Sequence, residues 1–180
     1  MPDTSVLNRL FNDRAKIPID DYYGKKKVVL KEPQVEDSMI EIRGIPDDAI
    51  VIDLDRAFSN EKLFAGSQGE CKRADYIIFS EQRKKVLFIE MKKTGAKLND
   101  IVKQLKGSLC AFEYCQSIAR EFFNENNFLS AYECRFITIN HTGMSNRTTT
   151  IEKIAGTNNR PDAPLKLSWT QTIQFNQIAK

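Results

Sequence analysis

Two carboxylates and one ammonium group form the arrangement in this sequence that is best suited to chemistry. Glu90 and Lys92 are two residues apart in an apolar segment, so on a strand both side chains point to one side. Asp75 begins the apolar segment before it. If the two segments pair as a hairpin with its loop near Arg83, Asp75 lies opposite Glu90 to Lys92, and the three groups converge.

This group of side chains fits the hydrolysis of a phosphodiester bond. Two carboxylates can hold a hard divalent cation, Mg²⁺ or Mn²⁺, with water and phosphate oxygens in the remaining positions. Such a cation lowers the pKa of a bound water and neutralises phosphate charge, while the Lys92 ammonium can orient the water or stabilise the transition state. The predicted metal ligands are Asp75, Glu90 and the backbone carbonyl of Met91.

The surroundings distinguish a site from a chance pair. An acid and a lysine two residues apart are common in strands, and alone they indicate little. Here both acids lie at the ends of strongly apolar segments, where a charged group is costly to bury without a partner or a metal. The setting therefore favours a site.

The elements that position these residues predict an α/β domain with a mixed central β-sheet flanked by helices. The hairpin strands are 74–79 and 85–91, a helix with apolar residues every three or four positions follows from Leu98 to Phe123, and a strand is predicted at 132–140. This β-β-α-β order favours a mixed sheet. Further predicted elements are strands at 25–31, 38–43, 49–54 and 165–175 and a short helix at 55–64.

Length and composition are typical of one globular domain. With 180 residues, 16 of them Phe or Tyr, the chain can bury a single sizeable core. We expect one domain over 1–180, with a core at about 50–140 and elaborations at 1–48 and 141–180. No apolar run approaches the ~18 residues of a membrane span, and four cysteines without a CxxC pair favour reduced thiols in a cytoplasmic protein.

Basic charge is concentrated around the candidate site. Residues 71–120 hold eleven Lys or Arg against five Asp or Glu, although the whole chain carries only +3. Such a concentration suits a polyanionic partner, and the alternative is a solvated, lysine-rich surface. The candidate phosphate contacts are Lys72, Arg73, Lys93, Lys97 and Lys103.

Other polar residues are weaker candidates. His141 is the only histidine and follows a predicted strand, where a structural role is the usual one. Asp53 and Asp55 alternate with apolar residues and are interpreted as an exposed strand face. Neither a P-loop nor a GxSxG motif is present, which argues against those nucleotide-binding and hydrolase classes.

The segments KRADYIIF, VLFIEMKK and KQLKGS resemble the PD-(D/E)xK nuclease superfamily over about 70–110. The family places an acid on one strand and a D/E-x-K triplet on the next, which Asp75, Glu90 and Lys92 match. The resemblance implies a restriction-endonuclease-like core, and it implies that Gln104 is the helical glutamine found beside the metal in many members.

Two features depart from the family pattern or are left open by it. Ala74 stands where many members have proline. The family usually has an acid on an early helix; Glu61 is the first choice here and Glu70 the alternative, so one or two metals remain possible.

The sequence thus predicts a Mg²⁺- or Mn²⁺-dependent endo- or exonuclease, with DNA favoured over RNA. The resemblance implies a role in phage defence or DNA repair, and family habit implies a homodimer or a partner protein for targeting. The alternatives are a ribonuclease on the same scaffold and a subunit that binds nucleic acid or protein without cutting.

Overall fold

The computed structural model describes residues 1–32, 38–58, 64–93, 96–141, 158–168 and 171–180. The strands are β1 Asp20–Tyr22, β2 Lys25–Lys31, β3 Met39–Ile45, β4 Ile50–Asp53, β5 Tyr76–Ser80, β6 Lys85–Lys93, β7 Glu133–His141, β8 Leu165–Ser168 and β9 Thr172–Gln174. The helices are α1 Asp3–Leu10, α2 Leu54–Ala57, α3 Leu98–Phe123 and α4 Phe175–Ile178, with a 3-10 turn at Asp13–Ala15.

These elements form two mixed sheets flanked by helices, so the predicted mixed α/β class is confirmed. The central sheet has the order β4-β5-β6-β7-β8, in which β4, β5 and β6 are antiparallel and β7 and β8 are parallel to β6. A second sheet has the order β1-β2-β3-β9, with β9 parallel to β3. The prediction of one central sheet did not include this second sheet.

The central strands are covered on both faces, which explains their continuous apolar sequence. On one face, Ile77 and Phe88 pack with residues of α1 and α3 in a first core. On the other face, Ile78 and Leu87 pack with β2, β3 and α4 in a second core. A strand with one solvated face would instead alternate apolar and polar residues.

The predicted hairpin is confirmed, with β5 and β6 joined by the four residues 81–84. The predicted helix 98–123 and the strand near 132–140 are confirmed as α3 and β7. The predicted single strand 165–175 is wrong, because its described residues form β8, β9 and the start of α4, while 169–170 lie outside the described ranges. Of the predicted helix 55–64, the described part is helical only in α2, and residues 59–63 lie outside the described ranges. No helix in the described ranges has the length and apolarity to cross a membrane.

Gly107 lets α3 approach the chain that leads into β5. A Cβ at this position would lie 1.7 Å from the carbonyl oxygen of Lys72, so no other residue fits without a shift of the backbone. One residue later, Ser108 Oγ accepts a hydrogen bond of 2.6 Å from the Ala74 N–H. The helix therefore fixes the backbone immediately before Asp75.

We expect Gly107→Ala to destabilise the protein by about 1 to 3 kcal/mol, the usual range for overpacking. The effect has the opposite sign to the gain of about 1 kcal/mol that alanine brings in a helix interior. Urea unfolding measures it, with the exposed neighbour Lys106→Ala as a control that should change stability by less than about 0.5 kcal/mol. A Gly107→Ala protein as stable as the parent would contradict the close approach.

Candidate active site

The structure brings Asp75, Glu90 and Lys92 together at the open end of the hairpin. Tyr76 pairs with Ile89 in the β5–β6 register, so Asp75 comes opposite Glu90. Asp75 Oδ2 accepts a hydrogen bond of 2.6 Å from the Met91 N–H. Lys92 Nζ lies 2.6 Å from Glu90 Oε1.

Glu90 is the least solvated charged residue of this group, with an exposed fraction of 0%. Within the described ranges the only donor near its carboxylate is the Lys92 ammonium, and Oε2 has no hydrogen-bond donor. At 2.6 Å the contact with Lys92 is charge-assisted, and it acts on the pKa values of both groups. Burying a carboxylate in this way is costly, since water is lost and only one partial replacement is present.

Burial is also the main cause of the pKa shifts of the two acids. It raises the pKa of Glu90 to about 9, with the charge of Asp75 adding to the rise and Lys92 opposing it. It raises the pKa of Asp75 to about 7, although the hydrogen bond from Met91 acts in the other direction. Burial alone would lower the pKa of Lys92, but Glu90 and Asp75 raise it above its ordinary value. The cluster thus carries more negative potential than Lys92 offsets.

A third acid, Glu32, lies beside the cluster and is not among the site residues that the sequence predicts. Its exposed fraction is 8%, and its charge acts on Asp75, on Glu90 and on Lys92. Glu32 directly follows β2, in the second sheet. The one local signal is an acid that ends an apolar strand, and this signal does not reveal that β2 packs against β5.

Tyr76 ties the end of β2 to the central sheet. Its hydroxyl donates a hydrogen bond of 2.6 Å to the Lys31 carbonyl and accepts one of 3.2 Å from the Lys31 N–H. Ser38 Oγ donates to the carbonyl of Glu32 at 3.0 Å. These bonds hold the backbone of Glu32 next to the site.

The other predicted metal ligands are Glu61, Glu70 and the backbone carbonyl of Met91. Glu61 lies outside the described residues. Glu70 is exposed, and its carboxylate accepts hydrogen bonds from the backbone of its own loop at Gly66 and Gln68, at 2.9 and 2.8 Å. Met91 is buried between Glu90 and Lys92, and its N–H is engaged by Asp75. In the described part of the chain, no three acid, histidine or cysteine side chains are arranged to hold a metal by themselves.

A cleft of about 420 Å³ opens beside Lys92. It is lined by three of the predicted phosphate contacts and by residues of α2 and α3: Asp55, Cys71, Lys72, Arg73, Lys92, Ala96, Lys97, Asp100 and Gln104. Lys72 pairs with Asp100 at 2.8 Å and Arg73 with Asp55 at 3.2 Å. The four cations outnumber the two acids, which suits an anionic ligand.

Of the remaining predicted contacts, Lys103 lies beside this cleft and Lys93 is described only in its backbone. The stem of Lys103 packs over Gly69, where an added Cβ would lie 2.9 Å from Lys103 Cδ. Gln104 shares the cleft with Lys92, and its Nε2 donates a long hydrogen bond of 3.4 Å to the Arg73 carbonyl. His141 ends β7, opposite Lys93.

The interpretation of Asp53 and Asp55 as an exposed strand face is wrong. Asp53 ends β4 and caps α2, where its carboxylate accepts a hydrogen bond of 3.0 Å from the Arg56 N–H and the side chain is only 14% exposed. Asp55 is on the first turn of α2 and faces the cleft. The alternation of apolar and polar residues here comes from a strand that passes directly into a helix.

Comparisons of this chain with protein-family models, with curated proteins and with solved structures find no match. Any account of its function therefore depends on the residues of the site and on the resemblance of its short motifs.

In the metal-free protein we expect stability to fall as pH rises from about 5 to 9. Unfolded Glu90 has an ordinary pKa near 4.5, whereas folded Glu90 has one of about 9, so between these values the unfolded chain binds fewer protons. At about 1.4 kcal/mol per pH unit, the loss from Glu90 is up to about 3 kcal/mol between pH 6 and pH 8, and Asp75, with a pKa of about 7, adds to it. Urea unfolding in a chelator measures it, and Glu90→Gln should flatten the profile. Parallel profiles for parent and variant would contradict the assigned shift.

Proposed function

We propose that this chain is a Mg²⁺- or Mn²⁺-dependent nuclease that hydrolyses phosphodiester bonds in DNA. The observation that carries the proposal is the carboxylate of Glu90, which is fully buried opposite Asp75, with Lys92 as its only donor in the described ranges. A buried carboxylate in this state is poorly explained as a structural ion pair alone, because one lysine offsets only part of its desolvation.

The residues of the site fit a divalent cation. Glu90 Oε2 accepts no hydrogen bond in the described ranges, so it can bind a cation. Asp75 Oδ2 accepts a hydrogen bond from the Met91 N–H, which leaves Oδ1 to bind the same cation. Hard cations prefer such carboxylate oxygens. Mg²⁺ usually keeps several waters and takes only one or two protein carboxylates, so a complete protein shell is not required. Glu32 adds negative charge nearby, where it can hold a metal-bound water.

The chain's own residues would share the work of the reaction. When bound, the cation supplies charge neutralisation at the phosphate and a lowered pKa for a water. Lys92, partly exposed to the cleft, is placed to donate a hydrogen bond to a phosphate oxygen or to the attacking water. Gln104 presents its amide to the same cleft and would position one of these groups.

The fold and the cleft support the same proposal. The β-β-α-β order, with β7 parallel to β6, is compatible with the restriction-endonuclease-like core that the resemblance implies. Lys72, Arg73 and Lys97 line the cleft into which Lys92 projects, where they would contact phosphates on either side of the bond that is cut. DNA as the substrate, and a role in phage defence or repair, come from the resemblance.

The direct experiment incubates the purified protein with supercoiled plasmid, single-stranded DNA and RNA, in Mg²⁺ or Mn²⁺. We expect cleavage of DNA that Glu90→Gln, Asp75→Asn and Lys92→Met each reduce about 100-fold or more, because loss of several kcal/mol of transition-state stabilisation has this effect. Arg83→Ala, at the far exposed end of the hairpin, should cut at the parental rate. Cleavage by the three site variants at the parental rate would refute the site, and cleavage of RNA alone would change the substrate.

A separate measurement tests the cleft as the path of the phosphate backbone. In a chelator, Lys97→Ala should weaken binding of a DNA duplex and reduce the slope of log affinity against log salt by about 0.9, the value for one lost phosphate contact. The matched control is again Arg83→Ala, with an unchanged slope. Equal slopes for parent and Lys97→Ala would show that Lys97 does not contact phosphate.

A further inference from the structure

The turn between β1 and β2 holds an aromatic ring in solvent. Tyr23 is 92% exposed, and its φ of 48° lies in the left-handed region, followed by Gly24 with φ 72°. Two consecutive positive φ values are typical of a type I′ hairpin turn, whose first central position favours asparagine. Tyrosine is thus unfavourable here both for the backbone and for the hydration of its ring. The turn geometry therefore does not account for a tyrosine at this position.

Tyr23 belongs to a group of aromatic and cationic side chains. Its ring contacts that of Tyr22 edge-on, with centroids 4.8 Å apart. Lys27 Nζ lies 4.9 Å and Arg43 Cζ 4.4 Å from the centroid of the Tyr22 ring. The two cations fix the Tyr22 ring, and Tyr22 in turn supports the ring of Tyr23. We name Tyr22, Tyr23, Lys27 and Arg43 the hairpin platform.

The surface around the hairpin platform is positive. Lys27 and Arg43 share one acid, Glu41, at 3.0 and 2.7 Å, so the three groups together keep a positive charge. Along β2, Val28 and Leu30 point into the second core, which places Lys27 and Lys31 on the outward face. Around this part of the sheet five cations stand against four acids: Lys25, Lys26, Lys27, Lys31 and Arg43 against Asp20, Asp21, Glu41 and Asp47.

Strand β2 connects this surface to the candidate active site. Its carboxyl end, Lys31, is bonded to Tyr76, and the next residue is Glu32 beside the acidic cluster. From Lys25 to Lys31 the strand spans about 20 Å at about 3.3 Å per residue. That length corresponds to about six nucleotides at the 3.4 Å spacing of one B-form strand, and to fewer in a stretched strand.

We propose that the hairpin platform stacks one unpaired nucleobase of a single-stranded nucleic acid, with Lys27 and Lys31 beside its phosphates. The proposal rests on the proposed function only for the choice of nucleic acid as the partner. Exposed rings combined with a positive strand are how proteins hold single strands, since every base offers a π-face while the cations contact the backbone. A blunt duplex keeps its bases stacked and offers the Tyr23 ring only its ends.

The test measures binding of a labelled twelve-residue oligothymidine and of a blunt, fully paired two-strand DNA duplex by fluorescence anisotropy, in a chelator. Tyr23→Asn removes the ring and favours the turn, so the variant should fold at least as stably as the parent. We expect it to bind the oligothymidine about tenfold more weakly, as for the loss of one stacked base, and the duplex with unchanged affinity. Tyr23→Phe keeps a ring and should bind like the parent.

Each other outcome overturns the proposal. It fails if Tyr23→Asn binds the oligothymidine as the parent does, if the duplex loses affinity equally, if Tyr23→Phe is as weak as Tyr23→Asn, or if the parent binds no single strand. Because the chelator prevents cleavage, a protein that shows the Tyr23 effect without any nuclease activity would retain the platform and refute the proposed function. A protein that cleaves DNA but lacks the Tyr23 effect would support the proposed function and refute the platform.

Discussion

The burial of the Glu90 carboxylate is the constraint on which the rest of this structure depends. A fully buried acid whose only donor in the described chain is one lysine raises the free energy of the fold unless a proton or a cation neutralises it. Lys92 neutralises part of the charge of Glu90. Asp75 and Glu32 add negative charge beside it, which makes an ionised Glu90 still less favourable. The apolar strands on both sides of the site supply the stability that allows such an unfavourable group to be kept.

Three separate parts of the chain hold this arrangement in place. The second core covers the far face of β5 and β6, so their ends are fixed by side chains on both sides. Helix α3 approaches through Gly107, and Ser108 bonds to the backbone before Asp75. Tyr76 ties down the end of β2 that carries Glu32. The site is thus assembled by contacts between segments that are distant in sequence, and a change in any of them should alter it without touching an acid.

The elements that could be predicted from the sequence are those whose signals lie within one segment of the chain. The hairpin and α3 follow from periodicity within single segments, and the approach of Asp75 to Glu90 follows from counting residues from the loop. Glu32 and the second sheet could not be predicted, because they depend on which strands pair and stack over long separations. The role of Gly107 could not be predicted for the same reason. In the sequence it only weakens a helix, and the structure shows that it makes room for the carbonyl of Lys72. The place of Asp53 could not be predicted either, because its strand passes into a helix within one residue.

Anomalous diffraction is the most direct test of whether Asp75 and Glu90 hold a divalent cation. Crystals grown with Mn²⁺ would be measured at a wavelength where manganese scatters anomalously. The account predicts one strong anomalous peak within about 2.0 to 2.3 Å of oxygens from both carboxylates, with Lys92 displaced from Glu90 toward the cleft. Well-ordered crystals with both carboxylates visible and no peak between them, at saturating Mn²⁺ and pH 8, would contradict the account. Glu90 would then be a buried structural ion pair.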